Sequence, residues 1–227
     1  MLKIVAYYTN NYYYSKSIDL SHSMNKWGAC YEIKKVEGPK TWAEAVSYKP
    51  RFILDCMVSS TCDSIGYTDV DSRLLRAIPH GALTGEVAYT PFQRSPHNPE
   101  EALTGTLFFK NTPAVQDFVR EWIEATPKYR GLDTPEQLSL RDVLASTTLD
   151  IQRLGPEWCW IFDDFKELFP NAPPPIFEHY QASREYKTLE AQGKADQAEL
   201  SDMQGEGLSS GYATDPSEWT RAKGRSK

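Results

Sequence analysis

The 227-residue chain predicts a layered α/β fold: one domain with a mixed, mainly parallel central sheet flanked by helices, followed by a flexible C-terminal tail. Three observations predict it. β-Branched and aromatic runs alternate along the chain with stretches of helical period, the pattern of strands joined by crossover helices. Hydrophobic residues make up 40% and aromatics 12%, enough for a sizeable core. From about Leu189 the composition turns to Gly, Ser and charge, too poor in large apolar residues to offset the entropy of ordering.

The elements follow in order. "LKIVAYYT" reads as a first strand, and "NN" ends it before a helix from about Tyr12 to Trp27 that stops at Gly28. "YEIKKVE" alternates as a second strand. "TWAEAVSYKPRFILDCMVSS" reads as helix in two pieces broken around Pro50, because a proline removes a helical donor. "IGYTDVDSRLL" is a short strand running into Asp69 and Asp71, with a second apolar run behind them. "GALTGEVAY" and "GTLFFKN" read as strands. Helices are expected from Thr112 to Thr126, with Thr112 and Pro113 at the cap and first-turn positions, and from Thr134 to Ser146. The domain is expected to span 1–187 and the polar tail 188–227, with one helical piece from Leu189 to Met203. Docking of Tyr212 and Trp219 onto the body is the alternative for that tail.

Composition excludes several classes. A net charge of −6 argues against a protein that coats nucleic acid electrostatically, though it leaves room for a local basic groove. No apolar run reaches the roughly 18 residues of a membrane helix, and "MLKIVAYYTNNYYY" lacks a signal-peptide layout, so a soluble, cytoplasmic chain without membrane insertion is expected. Cys30, Cys56, Cys62 and Cys159 are too scattered for a CxxC motif and read as buried free thiols.

The aspartates carry the functional question. As structure, Asp69 and Asp71 would end a strand and cap a following helix. As chemistry, alternate residues at a strand tail aim two carboxylates at one spot, where oxygen ligands hold a divalent cation. In an open α/β sheet ligands bind at the carboxyl ends of the strands, which favours the second reading. "SYKPRFIL" brings Lys49 and Arg51 toward that cleft or leaves them on a solvated surface. "LTGTLFFKNTP" puts Gly105 at a strand start, where a close backbone approach needs glycine, and Asn111 at the cap of the next helix. "PIFEHYQASREYK" puts His179 after a short apolar run, with Arg184 and Lys187 spaced for an anion.

Taken in order, "VAYYT", "W…KPRFI", "YTDVDS", "GTLFFKNTPAVQDFVREW", "PEQLSL" and "HYQASREYK" resemble small nucleotide-diphospho-sugar-dependent glycosyltransferases of the GT-A fold, over roughly Leu2 to Lys187. The resemblance implies a Rossmann-like domain that moves a sugar from a nucleoside diphosphate, UDP favoured, to an acceptor hydroxyl. It implies Mn²⁺ or Mg²⁺ at Asp71, with Asp69 reaching the metal or the donor's ribose and His179 as a further metal ligand. An imidazole among the ligands favours Mn²⁺. Tyr7 to Thr9 would face base and ribose; Lys187, with Lys49 and Arg184, would contact the diphosphate. Gly105, Thr106, Glu136 and Gln137 would line the acceptor side. The family often has Asp-Gln or Asp-Glu-Gln where this chain has "DTPEQ", so either Asp133 or Glu136 takes the acidic role, as general base if the enzyme inverts. The acceptor stays open between a nucleic-acid base, a protein and a glycan. The rivals are a two-metal phosphoryl or nucleotidyl transferase that recruits Asp55 or Asp63, and a non-catalytic nucleotide-sugar-binding module.

Overall fold

The computed structural model describes residues 1–39, 41–162 and 164–192. The expected tail helix beyond 192, Tyr212, Trp219 and the basic C-terminal end lie outside the described residues.

A six-stranded sheet has the order β2-β1-β3-β6-β5-β7, built from β1 (Leu2–Tyr8), β2 (Tyr31–Lys35), β3 (Ser64–Thr68), β5 (Val87–Phe92), β6 (Glu101–Lys110) and β7 (Ile151–Arg153). β1 pairs parallel with β2 and β3, and β5 parallel with β7, while β6 runs antiparallel between β3 and β5. The sheet is therefore mixed and mainly parallel, as expected. A three-stranded sheet of β4 (Ser72–Leu74), β9 (Phe177–His179) and β8 (Trp160–Ile161), in the order β4-β9-β8, adjoins it.

Burial on both faces makes a layered structure. Along β1, Val5 and Tyr7 join a core with α2 (Trp42–Ser59), α3 (Pro113–Ala125) and α4 (Pro135–Ser146), which includes Phe52, Ile53, Trp122 and Leu140. Ile4 and Ala6 alternate to the other face and meet Leu20 and Met24 of α1 (Asn11–Lys26). Period-two alternation with both faces apolar is what a covered, largely parallel sheet requires.

Several expectations are corrected. α2 is one continuous helix with Pro50 inside it. The lost hydrogen bond and ring clash cost about 3 kcal/mol, but Phe52, Ile53, Leu54, Cys56 and Met57 are buried beyond the proline, and burying such side chains stabilises by about 1.5–3 kcal/mol each. Packing wins over propensity. No helix follows the aspartates: the chain turns directly into β4, which pairs with β9. Thr112 caps α3, whereas the Asn111 amide donates to the carbonyls of Met57, Ser60 and Cys62 and fastens the end of α2. Cys56, Cys62 and Cys159 are buried, but Cys30 is exposed. Among the described residues the last helices are the short α5 (Phe165–Leu168) and α6 (Ala182–Ala191).

Among the described residues no helix is long and apolar enough to cross a membrane.

Candidate functional site

β1 and β3 end side by side at one edge of the sheet, and the aspartates fall just beyond β3. The Asp69 amide donates to the Gly105 carbonyl at 2.8 Å, which extends the β3–β6 ladder by one bond. Ser72 Oγ donates to the Asp69 carbonyl at 2.7 Å and closes the turn. Asp71 is held from the other side. Its carbonyl accepts from the Tyr180 amide at 3.0 Å, and its carboxylate accepts from the Ala182 amide at 2.8 Å. The bend that aims Ala182 passes through Gln181, whose φ of 56° lies in the left-handed region that side chains rarely adopt.

His179 completes the cluster. It ends β9 opposite Ser72 of β4, is buried, and its Nε2 lies 2.8 Å from Thr106 Oγ1. Asp69, Asp71 and His179 each offer a ligand atom, all within 4.8 Å of one another. Burial holds the His179 imidazole down at about 4, so it is neutral at pH 7 with a lone pair to donate. Burial, then the adjacent Asp69 charge, pushes the Asp71 carboxyl up to about 6. Neighbouring carboxylates with a neutral imidazole fit a hard or borderline divalent cation, whose charge relieves their repulsion.

Beneath Asp69 lies a buried ion network. The Lys49 ammonium, 3% exposed, is 3.0 Å from Asp69 Oδ1, 3.2 Å from both Thr104 oxygens and 3.9 Å from Glu136 Oε1. Burial would lower its pKa, but the Asp69 and Glu136 charges more than offset this and raise it. Glu136, in the first turn of α4, is raised by burial against the opposing pull of Lys49. Its Oε1 accepts from Thr104 Oγ1 at 3.1 Å, while Oε2, equally buried, has no hydrogen-bond partner among the described residues.

These groups form the floor of a cleft of about 530 Å³. Most residues singled out from the sequence for a site role line it: Tyr7, Thr9, Lys49, Asp69, Asp71, Gly105, Asp133, Glu136, Gln137, His179, Arg184 and Lys187, but not Thr106 or Arg51. Individual surroundings differ from expectation. Gly105 lies inside β6 rather than at its start, and what approaches it is the site itself: a Cβ there would lie 2.9 Å from His179 Cε1 and 3.0 Å from Cys159 Sγ. Lys49 is engaged with carboxylates, Arg184 pairs with Asp164 at 3.0 Å, and the Lys187 ammonium lies 3.5 Å above the Trp42 ring. Thr106 lies behind His179. Arg51 points away from the cleft and pairs with Asp55 at 3.2 Å.

The carboxylates of the two-metal alternative are elsewhere. Asp55 is on the exposed side of α2, and Asp63 precedes β3 at the opposite edge of the sheet, paired with the Met1 amino group. Among the described residues, Asp69, Asp71 and His179 are the group able to hold an ion. The sequence reading missed Trp42, Tyr13, Arg94, Thr104 and Cys159 in the cleft wall. Trp42 had a signal: it shares a helical face with Ala45, Val46 and Lys49, visible once α2 is read as continuous.

No protein-family model matches the chain, and no curated protein matches it in sequence. A solved structure does match in fold: a glycosyltransferase involved in the glycosylation of the major capsid of PBCV-1, with a TM-score of 0.61 and 10% identity. The match covers 88% of this chain and 98% of that one. At that identity the likeness is one of architecture, and the chain has a glycosyltransferase-like fold.

Proposed function

We propose that the protein transfers a sugar from a nucleoside diphosphate sugar to an acceptor hydroxyl, with a divalent cation held by Asp69, Asp71 and His179. The observation that carries this reading is the convergence of those three ligand atoms within 4.8 Å. They lie at the strand-end edge of a sheet whose fold is shared with a glycosyltransferase. UDP is the favoured nucleotide, and Mn²⁺ the favoured ion.

The bound ion would act as a Lewis acid toward the negative charge that develops on the departing diphosphate. The chain's own residues do the rest. Lys49 and Tyr67 hold Asp69 from below, at 3.0 and 2.7 Å, so the carboxylate keeps one orientation as a ligand enters. The Ala182 amide does the same for Asp71. Tyr7 and Thr9 border the base and ribose, with the Tyr7 hydroxyl tied to the Ala45 carbonyl at 2.6 Å. Arg184 and Lys187 stand on the cleft face of α6, where their charges favour a diphosphate. In the cleft floor Glu136 keeps a buried carboxylate oxygen with no hydrogen-bond partner among the described residues, and this is the group we assign to accept a hydrogen bond or a proton from a substrate hydroxyl. Asp133 is the exposed alternative for that role, and Gln137 contributes an amide beside it. The acceptor class is a nucleic-acid base, a protein or a glycan.

The test is release of free nucleotide from UDP-, GDP-, dTDP- and CMP-linked sugars with Mn²⁺, Mg²⁺ or EDTA. Slow hydrolysis of one donor, abolished by EDTA, is the expected result. A non-catalytic module would show donor-induced thermal stabilisation without hydrolysis, and neither effect with any donor would defeat the reading.

A further inference from the structure

One face of α2 runs down the cleft wall through Trp42, Ala45, Val46 and Lys49. Lys49 ends at Asp69, inside the ion cluster. Trp42 lies seven residues earlier, about 10 Å of helix rise toward the cleft mouth, which matches the separation of a nucleobase from its terminal phosphate. The small Ala45 and Val46 line the cleft between them. A capping box fixes the near end of this ruler: Thr41 Oγ1 accepts from the Glu44 amide, and Glu44 accepts in return from the Thr41 amide.

The Trp42 side chain packs at its border against the Tyr12, Ala182 and Tyr186 cluster, and a cation lies over its ring. The Lys187 ammonium lies 3.5 Å from the ring centroid, and among the described residues no carboxylate pairs with it. Lys187 shares the cleft face of α6 with Ser183 and Arg184, one turn nearer the ion cluster. α6 itself is fastened to α1, where Asn10 Nδ2 donates to Tyr186 Oη at 3.0 Å and Tyr12 Oη to Glu185 at 2.8 Å. The backbone under Lys187 is anchored, and the four-carbon stem is free to swing.

We propose that Trp42 is the stacking platform for the base of a nucleotide ligand, and that the base displaces Lys187 from the ring and delivers its ammonium to the ligand's phosphates. Cation–π attraction at a partly exposed ring is weak, whereas base-on-indole stacking and an ammonium–phosphate pair replace it together. No bond is made or broken, and one contact is exchanged for two. The inference rests on the nucleotide-sugar reading, which it deepens by naming the residues that sense the nucleotide.

The experiment is calorimetric titration of UDP, GDP and inorganic pyrophosphate, each with Mn²⁺, and of uridine and guanosine, into wild type, Trp42→Leu and Lys187→Met. Trp42→Leu is expected to weaken the preferred nucleoside diphosphate about tenfold to hundredfold and not to weaken pyrophosphate. Lys187→Met, on an anchored helix, is expected to weaken pyrophosphate and to tighten the nucleoside without phosphates, because nothing then has to leave the ring. Nucleoside diphosphate affinity at wild-type level in a folded Trp42→Leu, or unchanged nucleoside and pyrophosphate affinity in Lys187→Met, overturns this inference and leaves the nucleotide-sugar reading standing. Absence of binding by UDP, GDP and pyrophosphate to the wild type overturns both.

Discussion

Asp71 shows at the scale of one residue how function opposes stability. Its carboxyl, pushed up to about 6 from an ordinary 3.8, is more protonated in the folded chain than in the unfolded one between those values. The stabilisation from that proton is complete below about 3.8 and is lost as the pH rises through about 6. At pH 7 the ion-free fold therefore carries an ionised Asp71 at a cost on the order of 1–3 kcal/mol. Asp71→Asn, which mimics the protonated form, is expected to raise the urea midpoint of the ion-free protein at pH 7 and to lose stabilisation by Mn²⁺. A lower midpoint would contradict this account of the cluster. Because an ion must displace that proton, Mn²⁺ affinity is expected to fall as the pH drops below about 6, read by calorimetry at stepped pH. Gly105→Ala would set a methyl 2.9 Å from His179 Cε1. Overpacking of this kind costs about 1–3 kcal/mol, and the displaced imidazole should weaken ion binding as well. The D-x-D spacing made Asp69 and Asp71 legible in the sequence. The Glu136 oxygen left without a partner among the described residues was not, because that follows from which hydroxyls and amides the fold brings near it.

Among the elements, α2 taught most. Its proline argued for two helices, and a local rule of that kind fails where the flanking turns bury a run such as Phe52, Ile53, Leu54, Cys56 and Met57. The misreading hid the cleft-lining face, since Trp42 and Lys49 belong to one helix only if the proline is tolerated. The capping box at Thr41 sets where that face begins. Thr41→Ala should cost about 1 kcal/mol in urea unfolding, and wild-type stability would show that the box contributes nothing. Short strands were illegible for a different reason. β4 and β9 have three residues each and β8 two, too few to display a period, and pairing with one another defines them. Yet β9 carries His179 and β4 leads out of Asp71, so the least readable elements carry or adjoin two of the three candidate ligands.

At the scale of the whole molecule, the alternation of strands and helices announced the layered sheet, and the sheet's edge announced where a ligand would go. The antiparallel β6 was not announced, because a buried strand has the same composition in either direction. Its reversal matters: it brings Thr104, Gly105 and Thr106 against Lys49, Asp69 and His179 and closes the cluster from the third side. An ion that binds only the folded chain must stabilise it, by about 2.7 kcal/mol at a hundredfold excess over Kd. For a chain of this size that is a rise in Tm on the order of 5–10 °C with Mn²⁺, reversed by EDTA. The central claim, cation-dependent turnover of a nucleotide sugar at Asp69, Asp71 and His179, is tested most directly by the rate of nucleoside diphosphate release from the preferred donor in Mn²⁺, wild type against Asp71→Ala. The account predicts a loss of at least about a thousandfold, on the order of 4 kcal/mol of transition-state stabilisation, in a variant that keeps its fold. Turnover by a folded Asp71→Ala at the wild-type rate would contradict it.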